Sequence, residues 1–183
     1  MSEEKTQSLK IENIVASGSI ADSIDLEMIS AKIENCELNK KRFPGAVYRI
    51  MDPKVAFLVF SSGKVVITGV KSPEDLVLCQ DILMKNMKEA GVLCHETPNV
   101  AVTNMVCSYD LGNKINLNKV VLSLSLENIE YEPEQFPGLV YRISDPKVVA
   151  LLFSSGKIIL TGGKTMEDVE RGAAFLEQKL CNI

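Results

Sequence analysis

Asparagine stands at two corresponding places in this chain: Asn13 precedes Ile14-Val15, and Asn104 precedes Met105-Val106. With each recur a threonine followed by glycine (Thr68-Gly69, Thr161-Gly162), two phenylalanines (Phe43 and Phe60, Phe136 and Phe153) and two cations (Arg49 and Lys64, Arg142 and Lys157). These side chains offer hydrogen bonds, apolar rings and fixed charge, which is equipment for holding a ligand. Bond-making chemistry needs a nucleophile beside a base, paired carboxylates, a metal or a phosphate loop. The repeated positions are Phe, Gly, Pro, Asn, Thr, Arg and Lys, and they supply none of these. The single histidine, His95, falls in an expected linker and has no counterpart. The five cysteines, Cys36, Cys79, Cys94, Cys107 and Cys181, have no zinc-ligand or redox spacing. They read as buried apolar thiols of a reducing compartment. A binding protein without metal or cofactor is expected, not an enzyme.

The elements that position these residues come as two copies of one unit. Phe43-Pro44-Gly45-Ala46-Val47-Tyr48-Arg49-Ile50 returns as Phe136-Pro137-Gly138-Leu139-Val140-Tyr141-Arg142-Ile143. Asp52-Pro53-Lys54-Val55 returns as Asp145-Pro146-Lys147-Val148, and Phe60-Ser61-Ser62-Gly63-Lys64 as Phe153-Ser154-Ser155-Gly156-Lys157. Two copies are too few for a solenoid. They predict a pseudo-two-fold arrangement, with a ligand that is itself nearly symmetric. The boundaries expected are a short tail over 1–8, a first repeat over 9–98 and a second over 99–183.

Each unit opens with a predicted strand, Leu9–Ser17 or Val100–Ser108. A short helix follows, from Asp25 toward Ile33 in the first unit and from Leu117 to Leu126 in the second. Strands Val47–Ile50, Val55–Phe60 and Lys64–Thr68 come next, separated by the Asp52-Pro53 and Ser61-Ser62-Gly63 turns. A long helix closes the unit. Ser72 caps it, Pro73 takes its first position, and Leu76, Cys79, Ile82, Leu83 and Met87 recur at helical spacing before Gly91. Thr165 caps the second copy, which continues through Val169, Ala173, Leu176 and Leu180. The unit is strand, helix, four strands (three of them located by residue), helix, an α+β pattern with an antiparallel sheet.

Strand Val55–Phe60 is apolar on both faces, and so is its copy Val148–Phe153, yet two helices per unit cover only one face. Either a second sheet or partner covers the other face, or it is an exposed binding surface. The whole chain is acidic, with net charge −4 and pI near 5.2. Nucleic-acid binders usually carry a basic surface. The average conceals an uneven distribution. Residues 43–71 set Arg49, Lys54, Lys64 and Lys71 against Asp52, and residues 136–164 set Arg142, Lys147, Lys157 and Lys164 against Asp145. Cations around an apolar face suit a polyanion with an apolar surface between its charges, such as a DNA minor groove flanked by phosphates.

Two stretches resemble the TATA-box-binding proteins, general transcription initiation factors: Tyr131-Glu132-Pro133-Glu134-Gln135-Phe136-Pro137-Gly138-Leu139-Val140-Tyr141-Arg142, and Leu152-Phe153-Ser154-Ser155-Gly156-Lys157-Ile158-Ile159-Leu160-Thr161-Gly162. The resemblance spans roughly residues 9 to 180. It implies a saddle of about ten antiparallel strands with four helices on the convex face, whose concave face binds and bends A·T-rich duplex through the minor groove. Phe43, Phe60, Phe136 and Phe153 match wedges that open base steps. Asn13 and Asn104 match central donors to base-edge acceptors, with Thr68 and Thr161 beside them. Val15, Leu58, Val66, Val106, Leu151 and Ile159 match an apolar floor that excludes the guanine amino group. Arg49, Lys64, Arg142 and Lys157 match phosphate contacts.

The copies differ at Ala46 against Leu139, and at Asn39-Lys40-Lys41-Arg42 against Glu132-Pro133-Glu134-Gln135. In the family the acidic turn meets transcription factor B, a role that falls here to Glu132 and Glu134. RNA polymerase would then be engaged indirectly. The low pI, the similar halves and the lack of a long N-terminal extension point to the archaeal type, in the cytoplasm and associated with the nucleoid. A eukaryotic source would make it nuclear. No secretory signal or membrane span is expected. The apolar face also permits a homodimer without DNA. The competing reading is a protein–protein or small-ligand module using the same face.

Overall fold

In the computed structural model, which describes residues 9–124, 128–181 and 183, helix starts lie where the capping residues put them. The first repeat runs β1 (Lys10–Ala21), α1 (Leu26–Lys32), β2 (Cys36–Leu38), β3 (Ala46–Met51), β4 (Lys54–Val59), β5 (Lys64–Val70) and α2 (Pro73–Glu89). The second runs β6 (Cys94–Asp110), α3 (Leu117–Ser123), β7 (Ile129–Glu130), β8 (Leu139–Ile143), β9 (Val148–Leu152), β10 (Lys157–Gly163) and α4 (Met166–Leu180). The Asp25 and Asn116 carboxyl and amide oxygens accept from the amides of Met28 and Lys119. The hydroxyls of Ser72 and Thr165 accept from Asp75 and Asp168. Each bond satisfies a backbone donor that the first helical turn leaves open.

Among the described residues the strands form one open antiparallel sheet of ten, in the order β2-β3-β4-β5-β1-β6-β10-β9-β8-β7. With four helices this is the expected α+β architecture. Residues 13–103 make one compact unit, and residues 104–183 with those up to Glu12 make the other.

Within each repeat the strands sort their side chains by parity. Val55, Phe57 and Val59 of β4 and Val65 and Ile67 of β5 are at most 3% exposed, while Ala56, Leu58 and Val66 between them are not buried. In the second repeat Val148, Ala150 and Leu152 of β9 and Ile158 and Leu160 of β10 are buried, with Val149, Leu151 and Ile159 between. The buried set packs under the long helices. α2 lies on β5 and contributes Leu76, Cys79, Leu83 and Met87; α4 lies on β9 and β10 and contributes Val169, Ala173 and Leu176. Each such aliphatic side chain removed from water is worth about 2 kcal/mol. Among the described residues no helix lies on the remaining face of either repeat.

Several boundaries differ from the sequence reading. β1 and β6 run to Ala21 and from Cys94, well beyond the predicted Leu9–Ser17 and Val100–Ser108. The polar stretches there lack apolar alternation, and backbone pairing extends a strand whatever its side chains. β2 and β7 were not placed by residue, because three and two residues are too short to show a period. The predicted end of the third helix at Leu126, and the tail over 1–8, lie outside the described residues.

Candidate nucleic-acid interface

The uncovered face of the first repeat is built in rows across the strands. Ser17 of β1 pairs with Val66 of β5, Val66 with Leu58 of β4, and Leu58 with Val47 of β3. The next row joins Thr68, Ala56 and Arg49. The second repeat copies both rows: Ser108, Ile159, Leu151 and Val140, then Thr161, Val149 and Arg142. Strand parity puts Asn13, Val15 and Lys64 on this face with Phe60 next in line, and Asn104, Val106, Lys157 and Phe153 on the matching face. Every predicted floor, donor and cation residue thus lies on the helix-free side of its own repeat. In each repeat an apolar floor carries a hydroxyl at one end of each row and two cations at its margin, although the Ser108 hydroxyl is buried and donates to Glu12 Oε1 at 2.7 Å.

The asparagines are fixed by a bulge. Gly69 and Gly162 have φ of +92°, a conformation that glycine adopts without strain. Their amides donate to Asn13 Oδ1 at 2.7 Å and Asn104 Oδ1 at 2.6 Å. The β1–β5 and β6–β10 registers shift at these places. With Oδ1 engaged, the amide orientation is set, and Nδ2 stands 3.4 Å from Thr68 Oγ1 and 3.3 Å from Thr161 Oγ1. Each repeat therefore presents an NH2 group and a hydroxyl side by side. The Thr-Gly recurrence carried this signal, since a glycine after a strand threonine marks a bulge.

The phenylalanines pair within each repeat. The Phe43 and Phe60 ring centroids are 5.6 Å apart, and those of Phe136 and Phe153 are 5.9 Å apart. Phe136 is 40% exposed, and the other three rings are half-buried. Gly45 and Gly138 make room for the pairs. A Cβ on Gly138 would come within 2.8 Å of Phe136 and 3.0 Å of Phe153, and one on Gly45 within 2.7 Å of the Val59 carbonyl oxygen and 3.0 Å of Phe43. Sequence reasoning passed over these glycines, along with Val47, Val140, Ala56 and Val149 in the floor. The period-2 alternation would have found the latter four.

The cations Arg49, Lys64, Arg142 and Lys157 are all exposed. Arg142 Nη2 lies 3.7 Å from Glu130 Oε1, an exposed pair that a phosphate can replace at little cost. Glu132 and Glu134 sit exposed in the turn between β7 and β8, where the Glu132 carbonyl accepts from the amides of Gln135 and Phe136. In the corresponding turn of the first repeat, Lys40 Nζ is 3.3 Å from Glu27 Oε1.

Two expectations about other groups fail. His95 lies in β6, not in a linker, and its Nε2 is 2.9 Å from Asp22 Oδ1. The side chain at the start of β6 reaches the residue that follows β1. The cysteines are not uniformly buried. Cys36, Cys79 and Cys107 are, but Cys94 is half-buried and Cys181 exposed, because they fall at a strand start and just past a helix end. Burial pushes the Cys79 and Cys107 thiols up to about 11, with Asp75 and Glu12 adding to the rise.

The family described as "Transcription factor TFIID (or TATA-binding protein, TBP)" matches residues 8–90 and 99–183. The chain is 53% identical over 176 residues to TATA-box-binding protein 1 of Methanosarcina acetivorans, covering 96% of each chain. It is 51% identical over 172 residues to the TATA-box-binding protein of Archaeoglobus fulgidus, covering 94% of each. The solved structure of Methanococcus jannaschii TBP superposes with a TM-score of 0.86 at 45% identity, over 96% of this chain and 99% of that one. Matched over both repeats and nearly its whole length, the chain belongs to the TATA-binding protein family.

Proposed function

We propose that this chain is a general transcription factor that binds the TATA-box promoter element through the minor groove and bends it. It then nucleates an initiation complex with transcription factor B and, through it, RNA polymerase. The observation that carries the reading is the doubled arrangement of a fixed NH2 donor and hydroxyl beside an apolar floor, with a phenylalanine pair in each repeat. The minor-groove edge of A·T pairs offers only acceptors, adenine N3 and thymine O2, and the Asn13 and Asn104 donors suit these. A guanine would bring its amino group against Val15, Val66 and Leu58, or against Val106, Ile159 and Leu151. An unpaired donor buried there costs about 1–3 kcal/mol.

The rings act as wedges. Unstacking a base step costs a few kcal/mol, and an inserted apolar ring offsets it by replacing the lost stacking surface. Phe43 with Phe60, and Phe136 with Phe153, thus account for a kink at each end of the site. Arg49, Lys64, Arg142 and Lys157 meet phosphates, and the residues identified as donors, floor and wedges read the groove. The domain boundaries proposed are a first repeat over 9–98 and a second over 99–183, each reading half a site.

Transcription factor B is proposed to dock at the Glu132–Glu134 turn, whose carboxylates have no counterpart in the basic Lys40-Lys41-Arg42 turn. Complementary charge there sets orientation more than affinity. A mobility-shift titration tests the DNA reading. A TATA-containing duplex should be retained far below the concentration needed for a G·C-rich duplex of equal length. With four phosphate contacts, log affinity should fall against log salt with a slope of about −3 to −4. Equal retention of both duplexes would reject the assignment.

A further inference from the structure

The two repeats finish their long helices differently, and the difference leaves an apolar cleft in the second. In the first repeat α2 gives way to Gly91, whose φ is +100°. The Gly91 amide donates to the Lys88 carbonyl at 3.0 Å, and the Val92 amide to the Met87 carbonyl at 3.0 Å. This pair of bonds folds the chain back across the helix end and brings Val92 over Met87. Val92 is 7% exposed, and Met87, Ile20 and Ile24 at most 4%.

The second repeat has the same frame with less cover. The Ile20 and Ile24 amides donate to the carbonyls of Gly63 and Ser61; the Leu111 and Ile115 amides donate to those of Gly156 and Ser154. Leu111 and Ile115 are therefore their equivalents, and the matching caps Ser72 and Thr165 make Leu180 the equivalent of Met87. All three are only half-buried. With Ile183 they line a cleft of about 440 Å³ that also takes in Asp110 and Glu177. That volume lies within the range of small-ligand sites. A second cleft of about 260 Å³ shares Ile115, Leu180 and Ile183 and adds Lys114 and Lys119. One apolar floor thus joins a carboxylate rim to an ammonium rim. We propose that this double cleft binds a short aliphatic peptide with free ends. Its amino group would meet Asp110 and Glu177, and its carboxylate Lys114 and Lys119. An aliphatic side chain would cover Leu180 as Val92 covers Met87. A purely apolar molecule would leave both rims without partners, and a simple cation or anion would match only one.

The first repeat supplies the probe, the tripeptide Gly-Val-Leu, which is the sequence of residues 91–93. Methyl NMR of the whole chain should show saturable shifts at Leu111, Ile115, Leu180 and Ile183, and none at Ile20 or Ile24. Acetylating the amino end of the peptide should weaken binding about threefold to fivefold, as the loss of one exposed ion pair does. Amidating its carboxyl end should do the same, and Gly-Asp-Leu should not bind. Glu177→Gln should weaken the free peptide and leave the acetylated one unaffected; Lys119→Gln should weaken the free peptide and leave the amidated one unaffected. The capped peptides need no variant, so their result stands even where a substitution disturbs the fold. Shifts that do not saturate or that centre elsewhere would overturn the proposal. So would equal affinity of the free and capped peptides, or binding of Gly-Asp-Leu as tight as that of Gly-Val-Leu.

Discussion

Replacing Asn104 by Asp changes one atom of the site. Asn104 Oδ1 accepts from the Gly162 amide at 2.6 Å, and a carboxylate oxygen accepts there equally well. The substitution is therefore nearly silent for the fold, and the melting temperature should stay within about 3 °C, the shift that roughly 1 kcal/mol produces in a chain of this size. The other atom, Nδ2, is the donor held 3.3 Å from Thr161 Oγ1. Turning it into an acceptor leaves a base-edge acceptor unpaired, at about 1–3 kcal/mol. It also brings a negative charge near two phosphate rows, which adds about 1 kcal/mol even at the dielectric of water. Together they weaken TATA-duplex binding by at least about 2 kcal/mol, or thirtyfold. Anisotropy titration at fixed salt measures it. Protonation turns the carboxylate back into a donor, so the binding defect should shrink as pH falls toward the ordinary aspartate range near 4. An affinity within about twofold of wild type, well under 1 kcal/mol, would refute the claim that Nδ2 faces the groove.

Three further outcomes are expected. Phe136→Ala with Phe153→Ala should lose most of the DNA bend and weaken binding while the protein stays folded; a normal bend, or an unfolded protein, would remove the wedge role. Glu132→Lys with Glu134→Lys should leave duplex binding intact or slightly stronger and sharply reduce the ternary complex with transcription factor B in a supershift titration; unchanged ternary assembly would move that partner elsewhere. The Tyr109 hydroxyl is buried without a hydrogen-bond partner among the described residues, and burial raises its pKa well above that of free tyrosine. Tyr109→Phe should accordingly hold or raise stability, by up to about 1 kcal/mol, in thermal unfolding.

Much of the candidate interface is legible in the sequence because repetition and parity are sequence properties. Leu58 and Leu151 sit two residues before Phe60 and Phe153, so their shared face follows from the strand period alone. The helix caps Ser72 and Thr165 are equally local. What escapes is what depends on backbone geometry. Nothing in Asn13 announces that the Gly69 amide will hold its Oδ1, because that bond crosses 56 residues and needs a bulge with φ of +92°. Gly45 and Gly138 are visible as repeated glycines, yet the crowding that requires them appears only once the rings, and at Gly45 the Val59 carbonyl, are placed. His95 escapes because a polar run resembles a linker when a strand there owes its existence to a neighbour's backbone.

The central claim is that the helix-free face reads and kinks an A·T-rich minor groove, and end-to-end fluorescence energy transfer on a doubly labelled duplex tests it in one titration. Adding protein to a TATA-containing duplex should shorten the end-to-end distance in a saturable transition, while a G·C-rich duplex of equal length keeps its unbent value over the same concentrations. A TATA duplex that binds and stays straight, or a G·C-rich duplex that bends as readily, would contradict the account.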